Sequence, residues 1–235
     1  MNEMSPIAVS AVLLDLDGTL LDTVPDLYAA ARATMRELGR PEPPLDAVRS
    51  YVGRGINNLV KRLLAGSLDV ADGAPAPADA LDAFKRHYAR ENGRNTQVYP
   101  GVVEGLQALR AMGMPLAVIT NKSEAFTRPL LEMCGLASYF DLIVAADRLP
   151  KFKPDPMPLV WTCGRLGVSP ADALFIGDSV NDALAGRAAG CRVFLLPYGY
   201  NEGRDVRELA CDAIVPTVAA AARRVRYSPA QPFGQ

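Results

Sequence analysis

Four cysteines stand in the 235-residue chain, Cys134, Cys163, Cys191 and Cys211, and no two of them form a CxxC pair. That spacing offers no metal-finger pattern and no dense disulfide framework, so each reads as a small core residue in a chain suited to a reducing cytoplasm. An excess of either charge is lacking too. Lys and Arg number 25 against 26 Asp and Glu, a formal net charge of -1, so no basic field draws the chain onto a nucleic-acid backbone. No run of 18 apolar residues lacks a charge, which leaves no candidate for a membrane-spanning helix. Glu3 stands where a secretory leader would be basic, and the apolar run from Ile7 is cut by Ser10 and ended by Asp15; no signal peptide is expected. The one histidine, His87, lies in the polar helical stretch FKRHYAREN and reads as a surface residue.

What is present is a soluble, globular composition, 49% hydrophobic and 22% charged. The first patterned stretch, VLLDLDGTLLD (12–22), is a buried strand running into Asp15, Asp17 and Asp22. Helical spacing then covers 26–38, 45–52, 56–64 and 78–91 with no strand pattern between, an all-helical insert over 23–99. Inside it the Pro/Ala/Asp-rich stretch 66–80 reads as a flexible loop. From Pro100 apolar strands alternate with helices: strands at 115–120, 141–146, 173–177 and 192–196, then a short strand-helix pair over 212–223. Continuous apolar strands separated by helices predict an α/β fold with a doubly wound, Rossmann-like parallel sheet, whose ligands sit at the carboxyl ends of the strands. The core is thus 1–22 plus 100–226, the cap 23–99, and 227–235 a poorly ordered tail.

Three strands end in polar clusters: Asp15-Leu-Asp17-Gly-Thr19, Thr120-Asn121-Lys122, and Gly177-Asp178-Ser-Val-Asn181-Asp182, with Lys153 on a proline-fixed loop between the last two. In a parallel sheet these open on one edge. Crowded carboxylates repel unless a cation offsets them, so Asp15, Asp17 and Asp178 are the expected ligands of Mg²⁺, with Asp182 acting through its neighbours. Asp15 is then an anionic nucleophile for phosphorus, and Asp17 an acid for the leaving alcohol and a base for water. Lys153, Thr19, Thr120 and Asn121 are the expected phosphate contacts, while Lys122 is read as a solvated lysine and Asp22 as a hinge or capping residue.

This ordered set resembles the haloacid dehalogenase superfamily from Val9 to about Arg224. The resemblance implies a Mg²⁺-dependent aspartyl-phosphate mechanism and a helical cap, and the acid at Asp17 points to phosphatases rather than dehalogenases. Within them YVGRGINNLV (51–60) and GYNEG (199–203) are similar to segments of the bacterial phosphoglycolate phosphatase family, which implies action on a small phosphorylated metabolite; the chain is expected to be cytoplasmic, as a monomer or homodimer. Relatives acting on sugar phosphates, N-acetylmuramate 6-phosphate or pyrophosphate share the core motifs. A phosphosugar mutase ranks below them, since no histidine lies between Asp15 and His87. Substrate choice is expected in the cap, with Arg54 gripping a substrate carboxylate.

Overall fold

A computed structural model describes residues 6–71 and 74–230. Six parallel strands form the central sheet. These are β2 (Ala11–Leu14), β5 (Leu116–Ile119), β6 (Leu142–Val144), β7 (Ala173–Gly177), β8 (Arg192–Leu195) and β9 (Ala213–Ile214), ordered β6-β5-β2-β7-β8-β9. The chain first builds outward from β2 to one side, then returns to build on the other, so a crevice opens where β2 meets β5 and β7. Along β2, Val12 and Leu14 pack on one face while Ala11 and Leu13 pack on the other; Leu174 and Ile176 alternate with Ala173 and Phe175 in β7 in the same way. Both faces are therefore covered, and strands with a continuous apolar run are the consequence. On one face lie α5 (Val102–Ala111), α6 (Glu124–Met133) and α9 (Val218–Ala222); on the other lie α7 (Met157–Leu166) and α8 (Val180–Ala189).

The helical insert consists of α1 (Val24–Glu37), α2 (Leu45–Tyr51), α3 (Gly55–Ala65) and α4 (Ala78–Glu91), around a second core that includes Leu27, Val48, Leu59, Phe84 and Tyr88. It leaves and rejoins the sheet at one place. There β3 (Leu21–Asp22) pairs antiparallel with β4 (Gln97–Val98). Beside that pair the buried Asp26 carboxylate accepts from the backbone N–H groups of Gly93, Asn95 and Thr96 and from the Asn95 and Thr96 side chains. One carboxylate thus ties the outgoing helix to the returning chain.

Three expectations change. The N-terminal strand is two: β1 (Ile7–Val9) turns away at Ser10 and pairs with β10 (Val225–Tyr227), and Ser228 adds two hydrogen bonds, so 226–228 are built into the fold. Residues 231–235 of the tail lie outside the described residues. A three-residue strand has too short a period to show in a sequence. The described parts of the 66–80 loop, 66–71 and 74–80, are docked rather than free, since Lys61 donates to the Ala71 carbonyl and the buried Ala76 N–H donates to Asn57; residues 72 and 73 lie outside the described residues.

Glycine marks a close helix contact. A Cβ at Gly105 in α5 would lie 2.6 Å from the Val218 carbonyl carbon and 2.7 Å from the Ala219 nitrogen of α9, backbone that cannot swing aside. Gly164 in α7 has nothing within 4 Å. Gly105→Ala should therefore destabilise by about 1–3 kcal/mol, whereas Gly164→Ala should stabilise by about 0.5–1 kcal/mol. Denaturant titration of both variants checks the pair, and the opposite order would contradict the packing.

Candidate active site

The crevice gathers the polar ends of three strands. Asp15 follows β2, Thr120 follows β5 and Asp178 follows β7, and all three are buried. Gly18 turns the chain back with a φ of 87°. Its missing side chain is required twice over, because a Cβ there would lie 2.3 Å from the Asp178 carboxylate. Gly199 comes as close, since a Cβ there would lie 2.2 Å from the same group. Asp178 is held by Thr19 Oγ1, which donates to it at 2.6 Å, and by the Tyr200 N–H at 2.6 Å.

Lys153 is the positive centre. Its Nζ lies 2.7 Å from Asp15 and 2.7 Å from Asp182, with the Phe175 ring beneath it. Burial by itself would lower the lysine pKa, but the two carboxylates outweigh it and hold the ammonium charged. Asp182 is fully engaged: its second oxygen accepts from the backbone N–H groups of Asp178 and Ser179 and from the Ser179 hydroxyl, closing a capping box at the start of α8. It fixes the lysine, and the lysine fixes Asp15.

Oxygens of Asp15, Asp178 and Asp182 all lie within 4.8 Å of one another. Among the described residues, three carboxylates against the one ammonium leave two formal negative charges uncompensated in a buried place. Burial, with Asp182 close to both, accordingly pushes the Asp15 and Asp178 carboxyls above their ordinary range. A divalent cation has the charge and the taste for oxygen that this deficit calls for, so the residues fit one, with Asp15 and Asp178 as the carboxylates free to hold it.

Several expected contacts fall elsewhere. Asp17, expected on the metal, lies outside that cluster; its carboxylate accepts from Thr23 Oγ1 at 2.7 Å and from Lys122 Nζ at 3.0 Å. Lys122, expected in solvent, is buried, and also donates to the Tyr88 hydroxyl at 2.8 Å. Desolvation would lower its pKa, but Asp17 and Tyr88 raise it beyond the ordinary value. Thr19, expected on phosphate, has its hydroxyl on Asp178. Asn121 braces the walls: its amide donates to the Gly53 and Lys153 carbonyls and accepts from the Lys153 N–H. Thr120 stays by the cavity, its hydroxyl oxygen accepting from the Lys122 N–H. Asp22 accepts from the Val24 N–H at the start of α1 and from the Tyr200 hydroxyl. His87 pairs with Glu37 on the outer side of the cap.

A small cavity, about 40 Å³, lies over Asp15 and Asp17, roofed by Leu27, Ile56 and Leu59 of the cap and the glycines 53 and 55. Both glycines have positive φ, 123° and 77°. Arg54, between them, turns outward. Its Nε lies 3.4 Å from Glu202, and its side chain borders a wider cleft of about 540 Å³ alongside the cavity. Glu202 also takes the buried Arg62 at 2.6 Å, an ion pair joining the cap to the 199–203 loop of the core. Tyr88, Tyr200 and Glu202 are site residues that the sequence does not yield singly, the last two only as part of the GYNEG stretch, while Thr23, in sequence an N-cap for the first helix of the insert, turns its hydroxyl to Asp17 instead.

The sequence pattern of the haloacid dehalogenase-like hydrolase family matches residues 12–196. A phosphoglycolate phosphatase of Nitrosospira multiformis is 53% identical over 223 residues, covering 95% of this chain and 98% of that protein. One of Thiobacillus denitrificans is 52% identical over 220 residues, covering 94% and 97%. The crystal structure of a predicted phosphoglycolate phosphatase from Haemophilus somnus 129pt superposes with a TM-score of 0.81 at 33% identity, over 90% of this chain and 95% of that one.

A cation that neutralises the cluster binds the folded chain alone, so it should stabilise the fold. At a hundred times its Kd a divalent ion adds about 2.7 kcal/mol, read as a rise in Tm. Asp178→Asn should abolish that rise, and an undiminished rise in the variant would remove Asp178 from the cation's ligands.

Proposed function

The chain belongs to the haloacid dehalogenase-like hydrolase family, and from that premise we propose that it is a Mg²⁺-dependent phosphoglycolate phosphatase working through a phosphorylated Asp15 in the cytoplasm. The observation that supports the chemistry most directly is the placement of Asp15, a carboxylate at the end of the central strand, fixed by Lys153 at 2.7 Å and lining a cavity shared with Asp17. The substrate is read from the two curated relatives above, both named phosphoglycolate phosphatase. Among the described residues no helix is long and apolar enough to cross a membrane.

In the first step an Asp15 oxygen attacks phosphorus, and the bond from phosphorus to the alcohol oxygen breaks. Asp17 gives its proton to the departing alkoxide, which leaves as glycolate. In the second step water attacks the phosphoryl group on Asp15, Asp17 takes the water's proton, and phosphate departs. Bound by Asp15 and Asp178, Mg²⁺ supplies positive charge to the phosphoryl oxygens. Lys153 opposes the effect of burial on the Asp15 carboxyl and orients it, and the Thr120 hydroxyl faces the same cavity as a donor. The roof of Leu27, Ile56 and Leu59 keeps bulk water from the acyl phosphate until a single molecule is placed.

Arg54 supplies the selectivity in this reading. A planar guanidinium at the border of the wider cleft suits a carboxylate, and Glu202 is the model for such a partner.

Two measurements test the proposal. Purified protein with Mg²⁺ should release phosphate from 2-phosphoglycolate, chelator should stop it, and Asp15→Asn should leave the fold intact with no turnover; sustained turnover by that variant would rule Asp15 out as nucleophile. Arg54→Ala should lower kcat/KM on 2-phosphoglycolate about 10- to 100-fold, the worth of a charge-assisted hydrogen bond. Its effect on an uncharged alkyl phosphate should be slight, and equal losses on both would dismiss Arg54 as the carboxylate contact.

A further inference from the structure

Asp17 has to present one oxygen to two different partners, the leaving alcohol and then water, so the plane of its carboxylate has to be held. Thr23 holds one oxygen, at 2.7 Å. The second restraint is Lys122, whose Nζ lies 3.0 Å from each of the two carboxylate oxygens. A lysine is a poor brace when left to itself, because its four-carbon stem has many rotamers. Here the ammonium has an anchor of its own, and it comes from the cap. The Tyr88 hydroxyl accepts from Nζ at 2.8 Å, and the Tyr88 ring centre lies 5.0 Å from it. Tyr88 is fully buried on α4, its ring 5.9 Å from Phe84 and 4.8 Å from Phe126 of α6 in the core. One turn further along, Asn92 donates to the Phe126 carbonyl, so this end of α4 is itself fastened to the core. The series runs from a rigid aromatic cluster through one hydroxyl and one ammonium to the acid.

We propose that Tyr88 and Lys122 are positioning residues for acid–base catalysis, Tyr88 acting through Lys122 to hold the Asp17 carboxylate in line with the leaving oxygen. This rests on the reading of Asp17 as the acid and base. It adds that the helical insert contributes to the chemistry itself, by one hydroxyl, as well as to substrate choice.

The test uses two leaving groups. Glycolate leaves 2-phosphoglycolate as an alkoxide that needs a proton, whereas nitrophenolate leaves p-nitrophenyl phosphate without one. Because kcat/KM covers only the steps through departure of the first product, later hydrolysis of the phosphorylated Asp15 does not enter the comparison. Tyr88→Phe keeps the ring and removes the hydroxyl. It should lower kcat/KM on 2-phosphoglycolate about tenfold, a fraction of what a general acid contributes, with most of the loss in kcat, and change kcat/KM on p-nitrophenyl phosphate less than about twofold. Lys122→Met should show the same split, and adding Tyr88→Phe to it should cost nothing more, as for two groups acting in series. Losses of equal size on the two substrates, no loss on either, or additive losses in the double variant would each overturn the proposal. An unmodified enzyme that left 2-phosphoglycolate untouched would overturn the substrate reading alone, since the same ratio is then read with an alkyl phosphate that it does hydrolyse.

Discussion

A buried ammonium between two buried carboxylates is the constraint from which the rest of the site follows. Lys153 is 2% exposed and touches Asp15 and Asp182 at equal distance. Removing either partner of such a group leaves an uncompensated charge in a dry place, which costs about 3–5 kcal/mol. Lys153 therefore has almost no freedom, and neither has Asp15, the proposed nucleophile, which it holds. The cost of that rigidity appears in the third carboxylate. Among the described residues Asp178 has no cation against it, only the hydroxyl of Thr19 and the N–H of Tyr200. The fold tolerates this negative excess because the strand ends, the two close glycines and the capping box leave the side chains nowhere else to go.

A second contact of a lysine with a carboxylate sits beside the first: Lys122 lies against Asp17, so the proposed acid–base group and the proposed nucleophile border the same cavity with different partners. Two carboxylates only two residues apart are thereby given separate surroundings, one crowded by other carboxylates around Lys153, the other steered by a lysine and a threonine.

The sheet and the gathering of Asp15, Thr120, Lys153 and Asp178 could be read from the sequence because they depend on local pattern. Apolar runs of strand length, each followed at once by polar residues, have only one way to open in a parallel sheet. Lys122 could not be read so. As a lysine in front of a helix it has the local character of a solvated residue, and only tertiary burial against Tyr88 reverses that. Thr19 shows the same limit: its hydroxyl was the right kind of donor for phosphate, but the turn at Gly18 aims it at Asp178 instead. The Tyr88 contact spans 34 residues of chain, beyond any periodicity. Strands β1 and β10 escaped because three residues each, far apart in the chain, carry no period of their own.

The junction at β3 and β4 has a consequence for how such a protein changes over generations. The chain departs and returns through adjacent strands, and the knot of hydrogen bonds on Asp26 seals that doorway. Closing a longer excursion through the same doorway costs only about 0.6 kcal/mol per doubling of its length. The excursion can therefore be shortened, extended or replaced as a cassette while the phosphorus chemistry beneath it stays untouched, and new specificities can be grafted without rebuilding the engine.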